Sequence, residues 1–267
     1  MNDRAVALLE QYDIEIIKTR KGRGAILCDT PTGTLVFKEY AGTEARLAAE
    51  SRLLQNIAEK GKVHTDALIP TKEGTFSVKD RDGICYILKT YVDGRECDIY
   101  DRTECSVAME LLAGLHNAME SADTEGKGLN DSPLQEYEKR NRELAHIRSF
   151  LGKKGQKQPF ERYLKSCIDT YLEQAKQVTK EWQQYEEERG TKQVPGGFCH
   201  GDYQYHNILF AEDRWYVVNF EKCHQGSQVT DIYLMMRKLL EKSDWSQELG
   251  RDLLDAYQRV RPIPAYD

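Results

Sequence analysis

The chain has 267 residues, 40% of them hydrophobic and 31% charged, with a formal net charge of −6. That length suits one or two domains with a buried core, and the acidic balance disfavours a nucleic-acid backbone as partner. Apolar runs are only a few residues long and the start, Met1-Asn2-Asp3-Arg4, has no apolar stretch, so neither a membrane span nor a secretory leader is expected.

Up to about residue 90, short β-rich runs alternate with turn residues. Ile14-Glu15-Ile16-Ile17 is followed by the turn Lys21-Gly22-Arg23-Gly24 and then by Ala25-Ile26-Leu27-Cys28. A turn over residues 29–33, holding Pro31, leads to Thr34-Leu35-Val36-Phe37-Lys38-Glu39-Tyr40. These runs are predicted as antiparallel strands joined by tight turns. A helix is predicted from about Glu44 to Lys60, where Leu47, Leu54 and Ile57 keep helical spacing and Gly61 supplies a stop. Residues 75–78 and 84–88 read as a further hairpin, and Thr90-Tyr91-Val92-Asp93-Gly94 as a connector.

Beyond the connector the pattern turns helical. Val107, Leu111, Leu115 and Met119 recur every four residues and predict one buried stripe. Residues 137–192 hold thirteen basic and nine acidic residues, which reads as a solvated helical surface or as a basic face for an anionic ligand. A last hairpin is expected between residues 207–210 and 215–218, followed by terminal helices. The seven cysteines include no C-x-x-C pair, so free thiols in a reducing cytoplasm are expected.

The chemistry concentrates in Cys199-His200-Gly201-Asp202-Tyr203-Gln204-Tyr205-His206-Asn207, with Asn219-Phe220-Glu221 returning on the far arm of the hairpin. Phosphoryl transfer needs a carboxylate to orient the acceptor hydroxyl, an oxygen ligand for a divalent cation, and a further ligand bridging metal to phosphates. Asp202, Asn207 and position 219 suit those tasks in that order. Other readings of the same residues are weaker. Cys199, His200, His206, Cys223 and His224 match no common zinc spacing. Asp202 with Asp213 or Glu221 could make a hydrolase pair, but nothing else points to one. His200 reads as a packed loop residue, Asp231 as a support for that loop or an ordinary helix start, and the aromatics around the hairpin mainly as packing.

The run from His200 to Phe210 resembles the H-G-D-x-x-x-x-N motif of the aminoglycoside phosphotransferase and choline kinase superfamily. With Val92-Asp93-Gly94-Arg95-Glu96 and Leu112-Ala113-Gly114-Leu115-His116, it is most similar to the bacterial spore coat CotS-like branch. The resemblance implies a bilobal, protein-kinase-like α+β fold, with a small antiparallel β lobe over residues 1–90 and a larger helical lobe over 91–267. It implies ATP and Mg²⁺ as cofactors and a small-molecule hydroxyl as acceptor. Lys38 would contact the nucleotide phosphates, paired with Glu50 in preference to Glu44, and adenine would lie near Leu88 to Tyr91. Asp202 would be the base, with Asn207, Asn219 and Glu221 at the metal. Where the family carries a metal-binding aspartate this chain has Asn219, whose amide brings no charge and should weaken the metal site. Two functions follow: an ATP-dependent small-molecule phosphotransferase, or a catalytically weakened component of the spore coat partnered by coat proteins. The implied location is the mother cell or the spore surface.

Overall fold

The computed structural model describes residues 6–22, 24–120, 133–191 and 197–263. In chain order the elements are β1 (Lys18–Gly22), β2 (Ala25–Thr30), β3 (Gly33–Tyr40), α1 (Glu44–Lys60), β4 (His64–Thr65), β5 (Ser77–Lys79), β6 (Cys85–Thr90) and β7 (Arg95–Glu96). There follow α2 (Arg102–Glu120), α3 (Pro133–Lys153), α4 (Pro159–Thr191), β8 (Gly197–Cys199), β9 (Ile208–Ala211), β10 (Arg214–Val217), β11 (His224–Gly226), α5 (Val229–Lys242) and α6 (Gln247–Val260). Backbone contacts divide the chain into two compact units, with α3 and α4 forming one and every other element the other.

The N-terminal alternation becomes an antiparallel sheet, ordered β1-β2-β3-β6-β5, whose two faces differ in character. One face is apolar: Ile26, Cys28, Leu35, Phe37, Val78, Tyr86 and Leu88 pack against Leu9 and Tyr12 of the leading turn. Phe37 stacks on Tyr86 with ring centroids 5.2 Å apart. The other face carries two lysines. Lys38 pairs in register with Ile87, and Val36 with Lys89, so both lysines and Ile87 point to the same side. Ile87 packs there with Leu47 of α1 and with Leu68.

The helix expected over residues 44–60 forms with those bounds. Thr43 caps its start by accepting from the Arg46 N–H at 3.3 Å, and Gly61 ends it in the left-handed conformation with φ 64°. Glu44, in the first turn, accepts from the Phe76 and Ser77 N–H groups and from the Ser77 hydroxyl, which ties α1 to β5. The first strand begins later than the alternation suggests. Ile14 and Ile16 pack against the apolar cluster instead, because β2 ends at Thr30 and leaves the residues before Ile17 no strand to pair with. Of the turn at residues 21–24, Arg23 lies outside the described residues.

A second sheet, ordered β4-β10-β9-β7, contains the expected late hairpin. Its strand β4 runs parallel to β10, so chain from before residue 90 is hydrogen-bonded to chain from beyond residue 200. The largest core cluster joins α1, α2, this hairpin, α5 and α6. In α2 the buried stripe runs through Cys105, Ala108, Met109, Leu112, Leu115 and Met119, while Val107 and Leu111 are half-buried. The stripe is broader than a simple four-residue repeat because α2 packs against α6, β8 and α1 at once. In the other unit α3 and α4 pair with each other, burying Leu151, Ile168 and Leu172 and joining Asn141 to Thr179 at 2.8 Å. Their charged positions are mostly exposed. Among the described residues no helix is long and apolar enough to cross a membrane.

After β8 the chain turns at Gly201, whose φ is 77° and whose missing Cβ would stand 2.1 Å from the Lys222 carbonyl oxygen. Gly201→Ala should lose about 1–2 kcal/mol from the left-handed backbone alone, and more from the displaced Lys222 segment. Urea unfolding of the variant against the wild type measures this.

Candidate active site

The loop following β8 is shaped from beneath by a buried carboxylate. Asp231, in the first turn of α5 and fully buried, accepts from the His200 and Gly201 N–H groups at 2.6 and 2.8 Å and meets His116 Nε2 at 3.2 Å. His116 Nδ1 in turn lies 2.8 Å from the Tyr257 hydroxyl. Burial pushes the Asp231 carboxyl up, but the His116 and backbone hydrogen bonds outweigh it and hold the group below its usual range. His200 is equally buried. Its Nδ1 accepts from the Asp202 N–H at 3.2 Å, so Nε2 carries the proton and donates to the Val218 carbonyl at 3.0 Å. Burial lowers its pKa, which keeps the ring neutral and makes it a brace between the loop and the hairpin. Tyr203, also buried, donates to the Ala108 carbonyl at 2.7 Å and is a packing residue.

So supported, Asp202 presents a half-buried carboxylate to the cleft. Its oxygens accept from Gln204 Nε2 at 2.7 Å and Lys222 Nζ at 3.1 Å. Asn207 donates from Nδ2 to the Asp202 carbonyl at 2.8 Å, and its Oδ1 accepts from Asn219 Nδ2, also at 2.8 Å. Asn219 stands in the left-handed region, φ 68°, with its N–H on Asp66 Oδ2 at 3.1 Å and its Oδ1 accepting from Lys38 Nζ at 3.1 Å. Both amide orientations follow from the ends of this chain. Lys38 can only donate and the Asp202 carbonyl can only accept, so each amide must point its oxygen toward Lys38 or Asn219 and its nitrogen the other way.

Lys38, Asp202, Asn207, Asn219 and Glu221 are thus brought together, but the expected pairing of Lys38 with Glu50 does not form. Lys38 meets Glu221 Oε1 at 2.8 Å. Glu50 meets Lys89 Nζ at 3.2 Å, and the same ammonium lies 2.9 Å from Asp66 Oδ2 and 3.0 Å from Glu221 Oε1. The two lysines are diagonal neighbours on one sheet face, and α1 sets Glu50 over the second of them. Glu44, the other candidate, is engaged by β5.

Lys89 was not singled out from the sequence. A signal was present: it ends the apolar run Tyr86-Ile87-Leu88 in phase with the inward-facing Ile87. Asp66 has no comparable local signal. Both are at least nine-tenths buried, as is Glu50. Burial pulls Lys89 down, yet Asp66, Glu50 and Glu221 together hold its pKa well above the ordinary value. Burial likewise pushes Glu221 up, but Lys89 and Lys38 pull it down to about 2. At Glu50 burial wins over Lys89, with Glu221 and Asp66 adding to it, and the pKa rises to about 7.

A cavity of about 830 Å³ lies against the connector, lined in part by Thr34, Leu35, Thr90, Tyr91, Ala211 and Tyr216. It includes part of the expected adenine edge, but Lys38, Glu50, Asp202, Asn207, Asn219 and Glu221 do not line it.

The divalent cation implied by the family resemblance does not fit the donor set as it stands. Both amide oxygens already accept hydrogen bonds, and Glu221 Oε1 is shared between two ammonium groups. Among the described residues no three His, Cys, Asp or Glu side chains are grouped to hold a metal ion.

The buried ammonium makes two predictions. Lys89→Met takes the ammonium from Glu50 and Asp66, while Glu221 keeps Lys38, and should cost about 3–5 kcal/mol in urea unfolding, whereas Lys38→Met, at a partly exposed pair, should cost about 1 kcal/mol or less. The pH dependence has a definite sign. Glu50, raised from 4.5 to about 7, favours the fold below pH 4.5 and loses that contribution as pH rises through 7. Glu221, lowered from 4.5 to about 2, stabilises above pH 4.5 and loses its contribution as pH falls toward 2. Glu50→Gln should therefore flatten the stability profile between pH 4.5 and 7, read by thermal unfolding across that window.

Solved structures share this fold across nearly the whole chain. An aminoglycoside phosphotransferase from Alicyclobacillus acidocaldarius superimposes with a TM-score of 0.73 at 20% identity, covering 98% of this chain and 79% of that one. An amicoumacin kinase in complex with AMP-PNP, Ca²⁺ and Ami gives 0.64 at 11% identity over 97% and 77%. The choline kinase LicA from Streptococcus pneumoniae gives 0.52 at 14% identity over 94% and 78%. The architecture is accordingly α+β and kinase-like, an antiparallel sheet lobe with a helical lobe. No curated protein is significantly similar in sequence. The sequence nonetheless matches the phosphotransferase enzyme family over residues 22–266, and the chain belongs to that family.

Proposed function

We propose that the protein is an ATP-dependent phosphotransferase acting on a hydroxyl of a small molecule. The observation that carries this reading is the convergence of Lys38, Asp202 and Asn207 on one cleft, with Asp202 held by a loop whose backbone is fixed through Asp231 and His200. In the transfer step the acceptor oxygen attacks the γ-phosphorus, its proton passes to Asp202, and ADP leaves. Lys38 steadies the phosphates once it exchanges Glu221 or Asn219 for them. Lys222 Nζ lies 3.1 Å from the same carboxylate. No step here runs through Mg²⁺, because the donor set does not fit one. The acceptor class is a small molecule by analogy with the structural neighbours, and no side chain in the cleft names it further.

A second reading is favoured by Asn219 itself. A family member with an amide in place of the metal carboxylate loses charge stabilisation in the transition state, which suits a catalytically weakened component of the spore coat, as in the CotS-like branch. Such a protein would be made in the mother cell and bound to coat proteins.

An ADP-release assay against a panel of amino-alcohols, amino-sugars and choline separates the two. Turnover that falls by about 10²–10⁴ in Asp202→Asn supports the enzyme. Absence of turnover, together with a fluorescent fusion that decorates the spore surface, supports the coat component.

A further inference from the structure

We propose that this site binds its nucleotide without a divalent cation, because the side chain of Asn219 closes the gap that a metal ion would otherwise bridge. The proposal rests on the nucleotide-binding part of the reading above and holds whether or not transfer follows. Its basis is a hydrogen-bond chain with fixed polarity. Lys38 Nζ donates to Asn219 Oδ1, Asn219 Nδ2 donates to Asn207 Oδ1, and Asn207 Nδ2 donates to the Asp202 carbonyl. Every polar atom of both amides that lies along this path has a partner.

A carboxylate at 219 would break the chain at its centre. It has no proton to give, so one of its oxygens would face Asn207 Oδ1 at the present 2.8 Å, acceptor against acceptor. Two oxygens so placed are a site for a cation, and a divalent ion would be drawn in to hold them. The amide does the same work with its own N–H. It also removes one negative charge from the space the phosphates enter, which is the charge the cation would have neutralised.

The protein's fixed cation stands next to this chain. Lys89 Nζ, fully buried, lies between Glu50, Asp66 and Glu221, at 2.9 to 3.2 Å from each. Glu221 Oε1 accepts from Lys89 and Lys38 together. One oxygen of each of these carboxylates is therefore held by an ammonium that cannot leave, while Glu50 Oε2 and Asp66 Oδ1 stay buried without a hydrogen-bond partner. Of the two lysines that share Glu221, Lys38 is the partly exposed one, with freedom to turn toward an incoming phosphate.

The test is calorimetric titration of the whole protein with AMP-PNP, once with EDTA and once with excess Mg²⁺, for the wild type and for Asn219→Asp. In the wild type the two affinities should agree within about threefold, and in Asn219→Asp Mg²⁺ should strengthen binding by about tenfold or more. Binding that needs Mg²⁺ in the wild type overturns the proposal and leaves the nucleotide reading intact. Binding indifferent to Mg²⁺ in both proteins overturns the role given to Asn219. Absence of binding under every condition overturns the proposal and the nucleotide reading with it. If Asn219→Asp does not fold, the wild-type comparison alone still decides whether a cation is required.

Discussion

A lysine ammonium sealed among three carboxylates is the constraint around which this cleft is organised. Removing one charge from water costs several kcal/mol even after relaxation, so Lys89 can be buried only if partners are waiting for it. Those partners come from separated stretches of chain: Glu50 from α1, Asp66 from the segment after β4, and Glu221 from the turn after β10. Each must be delivered to within hydrogen-bond distance of one point. The ion cluster thus dictates how α1 lies on the sheet and where the turn carrying Asn219 and Glu221 must stand. A cluster of this kind adds little net stability compared with an apolar core, but it penalises any arrangement that leaves one member alone.

The loop following β8 solves a similar problem with less charge. Asp231 is fully buried, yet it has backbone N–H groups and His116 to accept from, and His200 completes the frame as a neutral ring rather than a cation. Asp202 is left as the carboxylate of this group that opens to the cleft. The carboxylate that frames the loop and the one that opens to the cleft are twenty-nine positions apart in sequence and serve one loop, the first beneath it and the second above it. Gly201 makes this possible, since the Lys222 carbonyl occupies the place a Cβ would need.

Much of this was legible in the sequence where the signal is local. The bounds of α1 follow from apolar spacing and a glycine stop, all within one stretch of chain. The late hairpin and the cluster of Asp202, Asn207 and Asn219 follow from a run of nearly contiguous residues. What failed depends on long-range geometry. Ile14 and Ile16 alternate like a strand, but whether they pair is decided by where β2 ends. Lys38 sits on the expected strand, yet its neighbour Lys89, two residues beyond its register partner Ile87, takes Glu50 instead. Sequence separation hides a diagonal pair of this sort, and it hides Asp66 completely, because an aspartate in a short connecting segment looks the same whether it meets water or a buried ammonium.

Asn219 shows how narrow the choice at such a position is. Its backbone is left-handed, which among non-glycine residues favours asparagine and aspartate over nearly all others. The main chain thus favours two side chains of almost the same shape, differing by an oxygen in place of an NH₂ group. Backbone and packing are indifferent between them, so the neighbours decide. Asn207 is turned by the Asp202 carbonyl so that its oxygen faces position 219, and a donor there satisfies it directly while an acceptor requires a cation between the two. The rest of the site is set for either: Lys38 can donate to an amide oxygen or to a carboxylate, and the Asp66 carboxylate holds the backbone N–H in both cases. Whether this cleft recruits its positive charge from solution or supplies it from its own lysines therefore turns on one group of atoms, in a frame that the remaining residues hold constant.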